Sequence, residues 1–160
     1  MKVISHRGNL HGPIPAKENT IEYILNALTF FDVEIDVRIK SNELYLGHDE
    51  PQQKLELNFL LAHKDQLWIH CKDIESLSFL TKFDLNYFGH QNDEFVLTSK
   101  GFIFTSPNSK QTHNSVTVMP ELSDNKNNLS KFAVLTDHPF KYSPLPDSED
   151  SDPHLFKCNL

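Results

Sequence analysis

The stretch FFDVEIDVRIKSNELYLGHDEP, residues 30–51, sets Glu34 and Asp36 between Val33, Ile35 and Val37 and brings His48 shortly after the next turn. Alternation with period two predicts a strand that carries both acids on one face. Titratable side chains also close or interrupt the other apolar runs: His6 and Arg7 after KVIS, His70 and Lys72 within LWIHCK, His90 after LNYFG, Glu121 after SVTVMP, and Asp137 after FAVLT. An imidazole titrates near neutrality, so it can take a proton or give one. Each signal alone has an ordinary reading. Alternating acids are commonly the wet face of a half-buried sheet, a histidine at a strand end is commonly a surface residue, and a lysine after an apolar run can snorkel to water. Repetition sets them apart, because in a parallel barrel all strand ends open onto one rim and one site could collect them.

The elements that must position these residues follow from the pattern around them. KVIS (2–5) predicts a strand that opens onto a polar loop with Gly12, Pro13 and Pro15. Asn19 or Thr20 can cap a helix to about residue 29, in which Ile21, Ile24, Leu25 and Leu28 form one buried stripe. Residues 31–39 form the alternating strand, and 43–48 an extended piece hairpinned onto it through a Lys-Ser-Asn turn. A short helix over 58–64 precedes LWIHCK (67–72), whose near-continuous apolar run suits a strand buried on both sides. Asp73 can cap the next helix, and 85–90 is a further strand. Beyond residue 90 helix becomes scarce: 95–105 reads as a hairpin turning at Gly101, and 115–121 and 132–139 are strands stopped by proline.

Bulk composition bounds the class. A chain of 160 residues, 38% hydrophobic with twelve Phe, can build one core. The formal charge of −7 is concentrated in PDSEDSDP, residues 146–153, and no Lys/Arg stripe suits nucleic acid or an anionic membrane. Cys71 and Cys158 lie too far apart for a disulfide framework or a zinc knuckle, and no signal-like or membrane-spanning run occurs, so the expectation is a cytoplasmic protein. One domain over 1–142 and an acidic, Pro/Ser-rich tail over 143–160 are expected.

Taken together, SHRG (5–8), ENT (18–20), VEIDV (33–37) and LGHD (46–49), in this order and with these gaps, resemble the glycerophosphodiester phosphodiesterase family, within the phosphatidylinositol-phospholipase-C-like TIM barrels. The likeness is specific over residues 3–50 and thins beyond, although LWIHCK fits the family's third strand. It implies that His6 and His48 are the acid–base pair, and that Glu34 and Asp36 are carboxylate ligands of Mg²⁺ or Ca²⁺. Arg7 and Lys72 would offset charge on the phosphoryl oxygens. The chain departs from the family at His70, where a glutamate ligand is usual; an imidazole there opens Mn²⁺ or Zn²⁺ as alternatives. His90 could join the same site, and Glu121 or Asp137 could supply the missing carboxylate. Asp49 is expected to orient His48 or cap its loop, and Glu18 is open between first-turn acid and site residue.

The implied fold is α/β, a reduced or incomplete TIM-type barrel, helix-poor in its second half, since 160 residues fall short of the roughly 250 of a complete (β/α)₈ chain. Missing helices would leave strand edges or apolar surface that a homodimer could cover. The expected activity is metal-dependent cleavage of a small-molecule phosphodiester, by hydrolysis or by cyclisation to a cyclic phosphate. The alternative is an inactive barrel that binds a phosphorylated sugar or polyol.

Overall fold

The computed structural model describes residues 1–143 apart from 92 and 126; the expected tail from 144 onward, with Cys158, lies outside the described residues. The chain begins with β1 (Lys2–His6) and crosses over through α1 (Ile21–Leu28), which starts where the Thr20 hydroxyl accepts a hydrogen bond from the Tyr23 N–H. It returns as β2 (Asp32–Lys40), and Ser41 and Asn42, both left-handed, turn it directly into β3 (Glu43–Leu46). A two-residue turn with both φ positive matches the twist of antiparallel strands. Next come β4 (Gln53–Leu55), α2 (Leu57–Ala62), β5 (Leu67–Cys71) and α3 (Ile74–Leu80), the last capped by Asp73, whose carboxylate accepts from the Ser76 N–H at 2.7 Å. The second half holds β6 (Tyr87–Phe88), β7 (Phe95–Leu97), β8 (Ile103–Thr105), β9 (Ser115–Val118) and β10 (Ala133–Thr136), with 3₁₀ turns at Pro120–Leu122 and Pro139–Lys141 and no α-helix among the described residues.

These strands form one mostly parallel sheet. Its parallel part runs β6-β5-β2-β1-β10-β9-β8, so strands successive along the chain lie side by side and the last, β10, pairs with the first. The β3–β4 hairpin lies antiparallel on the far half of β2, and β7 lies antiparallel on β8. The ladder does not close between β6 and β7. Ser99, just past β7, reaches across: its N–H donates to the Tyr87 carbonyl at 2.8 Å and its Oγ accepts from the Tyr87 N–H at 3.0 Å. The mixed α/β class and the helix-poor second half are therefore as expected, on an open sheet.

Strand alternation divides the core in two. Val33, Ile35 and Val37 of β2 and Leu67, Ile69 and Cys71 of β5 pack under Ile24, Leu60 and Leu80 of the three helices. On the other face Ile4, Trp68, Phe88, Phe104, Val116 and Leu135 form a second cluster with no helix over it among the described residues. Every residue of β5 is buried, because both of its faces are covered. Parallel register then stacks the polar residues in tiers above this second cluster: His6 beside Glu34 beside Trp68, and next Asp36 beside His70 beside Phe88.

Candidate active site

Glu34 and Asp36 are almost wholly buried, so their shared face is the lining of a site and not a wet surface. A cavity of about 570 Å³ opens above them, lined on this side by His6, Arg7, Glu34, His48, His70 and Lys72, with Asp36 enclosed beneath. All the candidate site residues thus come to one place, and His90 joins them, its ring stacked on that of His70 with centroids 4.7 Å apart.

A buried carboxylate is tolerated only when paired. Asp36 Oδ2 lies 2.9 Å from Arg7 Nε and accepts from Asn19 Nδ2 at 2.8 Å; Oδ1 lies 3.1 Å from His70 Nδ1 and 3.8 Å from Lys72 Nζ. Asn19 also accepts from the Asp36 backbone N–H at 2.9 Å, so it holds the strand as well as the side chain. To do this Asn19 stands at φ 56, leaving Thr20 as the helix cap. Arg7, at φ 53, is turned back over β2 and is further held by Glu18, whose carboxylate accepts from Arg7 Nη1 at 3.2 Å, so Glu18 stands beside the site as a residue that fixes Arg7.

His6 is oriented from behind. Its Nδ1 lies 2.8 Å from Asp137 Oδ1, which also accepts from Asn9 Nδ2 at 2.8 Å, and this leaves Nε2 toward the cavity, 3.9 Å from Glu34 Oε2. Glu121 does not reach the acids of β2; its Oε1 accepts from the Thr136 hydroxyl at 2.6 Å and the Asp137 N–H at 2.8 Å. Neither Asp137 nor Glu121 replaces the missing carboxylate; each stands behind His6 as part of one chain of contacts. His48 arrives by a different device. Arg38 donates to the carbonyls of Gly47 at 3.2 Å and His48 at 2.6 Å, and Asp49 lies 2.8 Å from His48 Nδ1, the orienting role expected for it.

The electrostatics separate the two acids. Burial, and then the charge on Asp36, push Glu34 up to about 7 against the pull of His6, Arg7 and Lys72. Burial would raise Asp36 too, but the His70 hydrogen bond and the Arg7 guanidinium outweigh it and hold that carboxyl well below the usual carboxylate range. His70 is lowered by burial, despite Asp36. A neutral imidazole whose Nδ1–H points at Asp36 accommodates both shifts. For His6, burial favours the neutral ring, yet the Asp137 hydrogen bond and Glu34 prevail and its pKa lies above the ordinary value.

Glu34, Asp36 and His70 each offer a ligand atom within 4.8 Å of the others, and this buried group could hold a metal ion. The donor set fits a divalent cation on its own chemistry. Glu34 Oε2 and His70 Nε2 are buried without a hydrogen-bond partner among the described residues, a cost that folded proteins rarely leave uncompensated. Asn9 and Arg38 are supporting residues that motif reasoning did not assign, whereas Asn19 and Asp137 were expected in other roles, as a helix cap and as a replacement metal carboxylate. No helix among the described residues is long and apolar enough to cross a membrane. In comparisons with protein-family models, curated proteins and solved structures, nothing matches the chain.

Proposed function

We propose that the chain is a metal-dependent phosphodiesterase that cleaves a glycerophosphodiester-like P–O bond, on an incomplete relative of the (β/α) barrel. One observation carries this reading: two buried acids, an oriented histidine and a second histidine from a separate loop converge with Lys72 on one cavity. Asp137 holds the His6 ring so that Nε2 can pass a proton to or from the cavity, and the raised pKa of His6 suits the protonated role of general acid toward the departing oxygen. His48, presented on the loop pinned by Arg38, takes the complementary role toward the attacking hydroxyl. Arg7 is committed to Asp36 and Glu18, so Lys72 is the cation that meets the phosphoryl oxygens, with Arg7 setting the charge of the acids below. Glu34, Asp36 and His70 would hold the metal ion, which supplies charge stabilisation to the transition state.

The reading is tested with a chromogenic phosphodiester and Mg²⁺, Ca²⁺, Mn²⁺ or Zn²⁺ in turn. Turnover is expected with at least one metal and should fall by about 10²–10⁴ in His6→Ala. Absence of turnover with every metal, or His6→Ala and Glu34→Ala both matching wild type, overturns it. Cleavage by water and cyclisation by a substrate hydroxyl share these residues and are separated by whether a cyclic phosphate accumulates.

A further inference from the structure

The cavity has two unlike walls, and the phosphodiester reading uses only one. The helix-bearing strands β1, β2 and β5 contribute His6, Arg7, Glu34, His70 and Lys72 to it. The helix-poor half adds a cluster of hydrocarbon, Phe88, Val96, Phe104, Val118, Met119 and Leu135, bordered by the polar Thr105, Ser106, Asn108 and Ser123. Phe88, Phe104 and Leu135 belong to the second core cluster and are about 5% exposed, so this wall is the continuation of a packed core to the cavity's edge. Met119 adds an independent sign. It holds a left-handed backbone, φ 47, where a long unbranched side chain is disfavoured, and strain of this kind collects at ligand sites. At about 570 Å³ the space falls in the range of about 300–1,000 Å³ that accommodates whole organic ligands, with room for more than a phosphate.

We propose that the substrate carries an apolar group, an alkyl chain or an aromatic ring, on an alcohol of its phosphodiester, and that this group seats on the Phe88–Phe104–Met119 wall while the phosphate meets Lys72 and the acids' cation. This rests on the phosphodiester reading and adds the substrate class to it. Asp93 and Glu94 line the mouth and repel a polyanion, which leaves a single phosphate bearing hydrocarbon as the better fit.

Calorimetric titration of the full chain with methyl, butyl and hexyl phosphate, phenyl phosphate and glycerol 3-phosphate, in the metal that supports turnover or otherwise in Mg²⁺, tests the wall directly. Affinity should rise by about fourfold for each methylene that is buried, with glycerol 3-phosphate close to methyl phosphate; the phenyl compound against the hexyl compound tells ring from chain. Met119→Asn, which tolerates the left-handed backbone, and Val96→Thr, which keeps the volume, should each flatten the series without weakening glycerol 3-phosphate, with unchanged melting temperature as the check on folding. A flat series in the wild type, or a slope that survives both variants, overturns the inference even if the chromogenic diester is cleaved. If no phosphate binds and no diester is cleaved, the phosphodiester reading fails along with it.

Discussion

Asp137 and Glu34 stand on opposite sides of the His6 ring, and the difference between 2.8 Å and 3.9 Å separates a fixed hydrogen bond from a longer charge contact. Replacing Asp137 by Asn keeps the shape but removes the charge that favours the imidazolium. The expected result is turnover lower by about ten- to a hundredfold, by analogy with lost outer-shell partners of site histidines, and a His6 ring that titrates at lower pH by NMR. Unchanged titration would remove Asp137 from this role. Glu34 gives a second prediction through its pH linkage. Its pKa rises from the ordinary 4.5 to about 7 on folding, so it favours the fold below 4.5 and loses that contribution as pH climbs to about 7. A cation that takes the proton's place should restore it. Metal-free protein is therefore expected to lose melting temperature over this window relative to Glu34→Gln, and the gain on adding Mg²⁺ or Mn²⁺ should grow over the same range. His70, shifted the other way by burial, is present in both proteins, so the comparison reads Glu34 together with the part of the His6 shift that Glu34 causes. Equal responses of the two proteins would discard the linkage. The acids and histidines were legible in the sequence because their neighbours are apolar. Asp137 was not assigned to His6, nor Asn9 to Asp137, since these contacts join residues 131 and 128 positions apart and nothing local marks them.

The loop after β3 shows how an element can be placed by one residue without a side chain. A Cβ on Gly47 would stand 2.0 Å from the Glu50 carbonyl oxygen, and the backbone there is at φ 144, where L residues are strained. Gly47→Ala should therefore cost about 1–3 kcal/mol in urea unfolding and displace His48, lowering turnover by more than the stability loss accounts for at a temperature where the variant remains folded. Wild-type turnover in this variant would show that the loop does not set His48. The strands and helices themselves were largely readable: period two gave β2, the apolar run gave β5, Asp73 gave the start of α3, and Gly101 does turn between β7 and β8. β4 was not. Gln53, Lys54 and Leu55 carry no strand-like alternation, and they are extended because β3 offers them an edge, a tertiary cause that no local window contains.

At the scale of the whole molecule, the sheet does not complete its ladder among the described residues, and more than ladder hydrogen bonds must hold β6 toward β8. The aromatic cluster is placed to do so. Phe88 of β6 meets Phe104 of β8 with ring centroids 4.5 Å apart, and Trp68 of β5 meets Phe104 at 5.8 Å and Phe102 at 5.0 Å. Across the same opening, Ser99 contributes a few hydrogen bonds to β6 and the segment before it. The magnitudes decide between them. A buried Phe replaced by Ala costs about 3–5 kcal/mol, transfer and cavity together, whereas a single hydrogen bond nets about 0.5–1.5 kcal/mol. Ser99→Ala removes two side-chain hydrogen bonds, so Phe104→Ala should destabilise the protein about twofold more than Ser99→Ala in urea unfolding, and amide exchange in Phe104→Ala should quicken first at Tyr87 and Phe88, the strand that loses its partner across the gap. If Ser99→Ala proves as costly as Phe104→Ala, the opening is held by the Ser99 hydroxyl and not by the aromatic cluster.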